Sequence, residues 1–315
     1  MQKVTPGNTD LNISPIVLGG NVFGWTLNEK ESFDVLDAAL ELGIGTIDTA
    51  DTYSHWAPGN VGGESETIIG KWMKEHGNRD RITLITKVGG SMGPGENNVS
   101  ASYILKEVET SLRRLQVERI DLYFTHWDDN KTPVEETLGA YQKLISAGKV
   151  RYIGASNLTP TRLKASLKAS REHNLPRYEV FQPGYNLCDR SEFEEGVGPI
   201  CKENGLGVIT YYSLASGFLT GKYRSEQDFG KSVRGGAMKK YLNGRGKRIL
   251  SALDKFARER GVSQTAVSLA WLIQNPLVSA PIASATSRLQ LNAFAEAMKI
   301  ELTSDEIHLL NQASD

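Results

Sequence analysis

The sequence predicts a closed (β/α)₈ barrel, and three observations carry that reading. Short apolar runs rich in β-branched residues alternate eight times with amphipathic stretches along the 315 residues, the pattern of parallel βα units. No Gly-x-Gly-x-x-Gly follows the first run, as an open dinucleotide-binding sheet would require. No linker or shift in composition divides the chain, and 39% hydrophobic residues suffice for one large core. Residues 1–315 therefore read as a single barrel domain with an N-terminal hairpin and an extra C-terminal helix.

The hairpin comes first. Val4-Thr5 and Leu11-Asn12-Ile13 flank a Pro6-Gly7-Asn8 turn, too little chain for a domain but enough to plug or cover something. The eight strand candidates follow: Ile16 to Gly19, Gly45 to Asp48, Ile82 to Lys87, Ile120 to His126, Val150 to Ser156, Glu179 to Gln182, Gly207 to Tyr211, and Val278 to Ala283. Helical stripes separate them. Phe33, Leu36, Ala39 and Leu40 mark the first, Ile68, Ile69 and Trp72 the second, and Ile104, Val108, Ser111, Leu112 and Leu115 the third, opened by Ser100. Thr137, Tyr141, Leu144 and Ile145 form the fourth, stopped by Gly148. Leu163, Ser166, Leu167 and Ser170 form the fifth, started by Thr159-Pro160 at N-cap and N1. Two regions break the repeat. The stretch from Ser213 to Asn243, rich in Gly, Lys and Arg, has no periodicity and reads as a functional lid. The tail after Met298 reads as a covering helix.

Bulk properties narrow the function. A net charge of −1 argues against nucleic-acid or membrane-surface binding. With two cysteines, Cys188 and Cys201, there is no disulfide framework and no Cys-x-x-Cys motif. Met1-Gln2-Lys3-Val4-Thr5 carries no apolar leader, and no 18-residue apolar run occurs. These features predict a soluble, cytoplasmic protein.

The chemistry gathers at strand ends. In a barrel the carboxyl ends of all strands lie on one face, so Asp48, Lys87 and His126 converge there, with Tyr53 joining from the loop after the second strand. A phenol alone barely gives up its proton at pH 7. The Lys87 ammonium is expected to pull the Tyr53 pKa down, while Asp48 keeps Lys87 charged and fixed. His126 can hydrogen-bond a substrate oxygen. A phenol tuned this way can protonate an oxygen that becomes negative as hydride reaches its carbon, which is carbonyl reduction. A metal reading of His126-Trp127-Asp128 lacks a third ligand at a recognisable spacing.

Asp48-Thr49-Ala50-Asp51-Thr52-Tyr53, Thr86-Lys87, Tyr123-Phe124-Thr125-His126, Gly154-Ala155-Ser156-Asn157 and the stretch from Leu214 to Tyr223 together resemble the aldo-keto reductases. The likeness is to the long-chain branch that includes potassium-channel β-subunits. It runs in order from about Leu18 to Gln290. It implies a barrel that reduces aldehydes and ketones with NADPH, or with NADH, and needs no metal. Tyr53 would be the general acid, Lys87 and Asp48 its tuners, and His126 the residue that orients the carbonyl. Ser156, Asn157 and Gln182 match residues that hold the nicotinamide carboxamide, and Tyr211 matches the ring stacked on the nicotinamide. Ser213, Leu214, Ala215, Gly217 and Lys222 match the loop over the pyrophosphate, and Arg234 an adenosine-phosphate contact. Gly20 and Asn21 match cofactor-side positions after the first strand. Ser284, Thr286, Arg288 and Gln290 fall where the family grips the 2′-phosphate.

The chain departs from that pattern in places. Tyr211-Tyr212-Ser213-Leu214-Ala215 lacks the usual proline, Phe294 replaces an Asn, and Thr286 stands where many relatives carry Arg. For the substrate, Trp25, Tyr53, His126 and Trp127 are the candidate contacts, with Trp56 nearby, in a pocket expected to be open and tolerant. The partners implied are a small carbonyl or alcohol, with no nucleic acid and no membrane. A second reading, a cofactor-binding regulatory subunit of the same branch, is countered by the expectation that no N-terminal extension serves a partner.

Overall fold

The computed structural model describes residues 3–93 and 95–315; of the N-terminal stretch from Met1 to Thr5 read above, Met1 and Gln2 fall outside the described residues. Eight strands close into a parallel barrel in sequence order, β1 pairing with both β2 and β8. They are β1 (Val17–Gly19), β2 (Thr46–Asp48), β3 (Thr83–Val88), β4 (Ile120–Thr125), β5 (Val150–Ser156), β6 (Tyr178–Gln182), β7 (Gly207–Thr210) and β8 (Ala280–Ala283). The surrounding helices are α1 (Glu29–Glu41), α2 (Glu64–His76), α3 (Ala101–Leu115), α4 (Val134–Ser146), α5 (Pro160–His173), α6 (Gly198–Asn204), α7 (Gly244–Arg260), α8 (Gln264–Ile273), α9 (Arg288–Ala297) and α10 (Ser304–Ser314). Among the described residues, no helix is long and apolar enough to cross a membrane.

Local chemistry sets these boundaries. Asn28 and Glu31 form a reciprocal capping box at the start of α1, and Thr159 caps α5 ahead of Pro160, each satisfying backbone N–H groups that a helix start leaves free. Gln116 and Asn174 end α3 and α5 in the left-handed conformation, which strands no Cβ clash when the side chain is short or polar.

Two apolar layers hold the barrel together. Leu18, Ile47, Leu84, Tyr123, Ile153, Phe181 and Val208 point outward and pack under the helices. Val17, Ile85, Leu122, Phe124, Val180, Ile209 and Ile282 point inward and fill the barrel. This alternation is the two-residue period of a strand. One step further along the inward column come Gly19, Lys87, His126, Gln182, Tyr211 and Ser284. The polar site thus sits directly on an apolar plug that excludes water from beneath it. Gly154 is part of this packing, because a Cβ there would lie 2.4 Å from the Phe124 ring; the missing side chain makes room for the aromatic.

The N-terminal segment is less regular than a full hairpin. Val4 and Ile13 form one antiparallel bridge, with N–H···O distances of 3.0 and 2.9 Å. Leu11 and Ile13 then close the bottom of the barrel core, so the segment is a plug. Ser14 leaves the pairing at once because its N–H bonds the Thr46 hydroxyl at 2.9 Å, which turns the chain into β1. Between β7 and β8 the sequence reading has no helix beyond the lid. In the structure, the stretch from Ser213 to Asn243 folds as successive 3₁₀ turns, and α7 and α8 follow. The Gly244-Arg245-Gly246 start of α7 resembles a turn, but Asn243 caps it by accepting the Gly246 N–H at 2.9 Å. The tail forms α10, as expected for a covering helix, and packs against α7.

Candidate active site

Asp48 ends β2, Lys87 lies in β3, and Tyr53 reaches in from the turn after β2. Lys87 and Asp48 are fully buried. The Lys87 ammonium has three N–H donors and three acceptors: Asp48 Oδ1 at 2.6 Å, the Thr49 carbonyl at 2.8 Å and the Tyr53 hydroxyl at 2.8 Å. Tyr53 in turn donates to Asp48 Oδ1 at 3.1 Å. No rotational freedom is left to the ammonium. His126, whose N–H continues the ladder to the Val88 carbonyl at 2.8 Å, stands with its ring centroid 5.9 Å from that of Tyr53.

The electrostatics differ from the sequence expectation at one point. Burial and the Asp48 carboxylate push the Tyr53 phenol well above its ordinary pKa, rather than Lys87 pulling it down. The reason is that the ammonium's charge is taken up by Asp48 at 2.6 Å, while burial penalises the phenolate. The resting phenol therefore holds its proton. Burial lowers the Lys87 pKa, against the opposing pull of Asp48, Asp51 and Glu66. Burial and then Lys87 push His126 well below the usual imidazole value, leaving it neutral.

A cavity of about 720 Å³ opens above these groups. At its floor the amide and hydroxyl residues are wired together. Gln182 Nε2 donates to Asp48 Oδ2 at 2.9 Å, Ser156 Oγ to the Gln182 carbonyl at 2.8 Å, and Asn157 Nδ2 to the His126 carbonyl at 2.9 Å. The Tyr211 hydroxyl donates to Asn157 Oδ1 at 2.8 Å, which holds its ring at the cavity wall. Asn21 accepts from Ser284 Oγ at 2.6 Å. Ser213, Leu214, Gly217, Lys222, Thr286 and Gln290 also line the cavity. Tyr212, Ala215 and Ser216 adopt positive φ angles of 55°, 48° and 55°, a strained backbone of the kind that clusters at ligand clamps. A flat aromatic face, amide groups, a strained loop and an ammonium along one elongated cleft fit a dinucleotide with a heteroaromatic end and a charged middle.

Other expected contacts stand elsewhere. Gly20 is buried below the cavity, its N–H donating to the Asp48 carbonyl at 2.7 Å, and Ala215 is buried behind the loop. Arg288 begins α9 but pairs with Glu41 of α1 at the surface. Trp25 stands one layer back, its ring edge-on to Trp56 at 5.6 Å. Trp56 itself packs 6.2 Å from Tyr53, and Trp127 is half-exposed on the opposite side beside His126. Arg234 lines the cavity with its guanidinium 5.0 Å over the Trp25 ring.

Sequence reasoning missed two features. Gln182 supports Asp48 directly, a contact between strand ends that no local pattern announces. Asp51, inside the same motif as Asp48, is fully buried with neither carboxylate oxygen hydrogen-bonded; burial and the nearby Glu66 and Glu107 push its pKa well up. Its place beside Asp48 in the sequence was the available signal.

Known proteins share much of this sequence. Residues 15–315 match the family model described as "Aldo/keto reductase family". The chain is 36% identical over 295 residues to "Aldo-keto reductase YhdN" of Bacillus subtilis (strain 168), covering 92% of this chain and 85% of that protein. It is 31% identical over 310 residues to "L-glyceraldehyde 3-phosphate reductase" of Escherichia coli (strain K12), covering 95% and 88%. "Protein tas" of the same strain is 29% identical over 336 residues, covering 97% and 96%.

Proposed function

The chain belongs to the aldo/keto reductase family, and on that premise we propose that it reduces aldehyde or ketone carbonyls to alcohols, reversibly, with NADPH as the preferred coenzyme. The observation that carries this reading is the closed Lys87–Asp48–Tyr53 triangle facing a neutral His126 across the floor of the cavity. Tyr53 supplies the proton to the carbonyl oxygen. Lys87, 2.8 Å away, stabilises the phenolate left behind, and Asp48 keeps Lys87 in place. The His126 imidazole positions the carbonyl oxygen against Tyr53. Trp56 and Trp127 wall the pocket.

When bound, the reduced nicotinamide supplies the hydride for the carbonyl carbon. Ser156, Asn157, Gln182 and Tyr211 hold its ring end, which their shared hydrogen-bond network suits. Ser213, Leu214, Gly217 and Lys222 take the pyrophosphate, and Asn21, Ser284, Thr286 and Gln290 the adenosine end. Arg288 carries the preference for NADPH. We place the enzyme in the cytoplasm, which its two buried free thiols suit, and treat the whole chain as one catalytic domain.

The test is NADPH consumption by the purified protein with a panel of aldehydes and diketones, beside Tyr53→Phe. The variant keeps the ring but has no proton to give, so turnover should fall roughly 10²–10⁴-fold. A variant retaining more than about a tenth of the activity would remove Tyr53 from the role of acid.

A further inference from the structure

The turn that delivers Tyr53 to the site also delivers the residue before it. Thr52 is buried, and its hydroxyl stands 3.4 Å from His126 Nδ1. Among the described residues, that hydroxyl and that nitrogen have no other hydrogen-bond partner. A Cβ built on Gly90 would lie 3.3 Å from the same nitrogen and 2.9 Å from Thr52 Cγ2, so Nδ1 is enclosed between the threonine and the loop after β3. Nε2 pairs with no protein group among the described residues, and the imidazole lines the cavity. Nδ1 therefore looks into the protein and Nε2 into the cavity. The backbone on either side is fixed, with the His126 N–H on the Val88 carbonyl at 2.8 Å and Asn157 Nδ2 on the His126 carbonyl at 2.9 Å.

A neutral imidazole has one N–H, and the nitrogen that carries it decides what the ring can offer. With the proton on Nε2, the ring donates to an oxygen in the cavity. With the proton on Nδ1, it turns a lone pair to that oxygen and repels it. A threonine hydroxyl can pair either way, but its own proton decides between them. If Thr52 accepted from Nδ1, the hydroxyl proton would be stranded in a buried place without an acceptor, which costs about as much as a lost hydrogen bond. Donating to Nδ1 satisfies that proton and leaves the ring's own on Nε2. The contact is long at 3.4 Å, and hydrogen bonds at catalytic centres shorten as the reacting complex assembles. The carbonyl of the same residue acts on a second ring. His55 Nδ1 lies 2.7 Å from the Thr52 carbonyl oxygen, and a carbonyl only accepts, so that nitrogen carries a proton. One threonine thus faces two imidazoles, as donor to one and acceptor from the other.

We infer that Thr52 is a positioning residue: its hydroxyl holds His126 in the tautomer that turns Nε2–H to the cavity, which makes the imidazole a donor to the substrate's carbonyl oxygen. This rests on the carbonyl-reduction reading above. The donated bond strengthens as hydride reaches the carbon and the oxygen gains negative charge, so its worth lies in the reacting complex rather than in binding.

The test joins nitrogen NMR of the histidine-labelled protein to single-turnover reduction of an aldehyde by the NADPH-loaded enzyme. The chain has five histidines, and His126→Gln and His55→Gln identify the two signals that matter. In wild type, His126 should show a protonated Nε2 and a bare Nδ1. Thr52→Val removes the hydroxyl and keeps the shape, so it should move His126 toward a mixture of tautomers. His55 should stay as it was, because the Thr52 carbonyl remains. The single-turnover rate should fall roughly 2–12-fold with KM changed less, the range of one neutral hydrogen bond. Thr52→Ser should restore both tautomer and rate, and Thr52→Ala takes the place of the Val variant if that one does not fold. A wild-type His126 protonated on Nδ1 overturns the inference, as does an unchanged tautomer in Thr52→Val or a changed tautomer with no loss of rate. It is overturned too if His55 changes along with His126, or if Ser behaves as Val, since the effect then belongs to the packing of the turn. If wild type reduces no carbonyl at all, the reaction reading fails instead, and the two NMR signals alone decide whether Thr52 sets the ring.

Discussion

Lys87 Nζ lies 2.6 Å from Asp48 Oδ1 with both side chains fully buried. Such a pair is costly to break, because removing one partner strands the other charge away from water, at about 3–5 kcal/mol. Lys87→Met should therefore lower both reductive turnover, by roughly 10²–10⁴-fold, and thermal stability. Turnover assays and a melting curve on one preparation separate the two effects. Near-wild-type turnover in a folded variant would contradict the role given to Lys87.

The pH dependence follows from two shifts. The raised Tyr53 pKa keeps the phenol protonated through neutral pH, and the lowered His126 pKa keeps the imidazole neutral. Carbonyl reduction should accordingly hold its rate across about pH 6–8 and decline only toward alkaline values, where the acid is lost. Alcohol oxidation, which needs the phenolate as base, should rise with pH over the same range. Profiles of kcat/KM in both directions test this, and a reductive rate that collapses between pH 6 and 8 would contradict it.

Asp51 should leave its mark on stability. Its folded-state pKa is raised, so the folded protein binds that proton more tightly than the unfolded chain does. The associated stability is fully present below the ordinary carboxylate pKa and is lost as pH rises toward the folded value. Asp51→Asn has no proton to lose. Its melting temperature relative to wild type should therefore climb between about pH 5 and pH 8. A difference that stays constant with pH would mean that Asp51 is not held neutral.

Coenzyme preference should respond to Arg288 and to its surface partner Glu41. The pair is more than half exposed on each side, so it is weak and the guanidinium can leave it for a phosphate. Arg288→Ala should weaken NADPH binding by roughly 10–150-fold and NADH binding far less. Glu41→Gln, which removes the competitor, should tighten NADPH. Equal effects on both coenzymes would take the 2′-phosphate away from Arg288.

Much of this was readable from local pattern. The eight strands fall within one or two residues of the apolar runs, because β-branched alternation and the buried layers at β3 and β4 are sequence-local facts. Asp48, Lys87 and His126 were placed together by the rule that strand ends share a face, without any contact being known. The features that escaped are pairings between distant segments: Gln182 on Asp48, Arg288 on Glu41, Arg234 on Trp25. Each depends on side-chain direction across loops, and hydrophobic period carries no information about that. The helix α7 escaped for a different reason. Its Gly-rich first turn reads as a break, and only the Asn243 cap shows that it is a beginning.

The pairing of β1 with β8 has a consequence for how the molecule is made. Val17 meets Ile282 and Leu18 meets Ala283 across this seam, so the cylinder cannot shut until Ala283 has left the ribosome. Until then β1 waits with one side unmatched, a free edge of the kind that invites association with other chains. The Asn21–Ser284 hydrogen bond spans the same seam, inside the cleft. A molecule gripped between those two loops would also tie the last joint to form, stabilising the closed barrel by mass action.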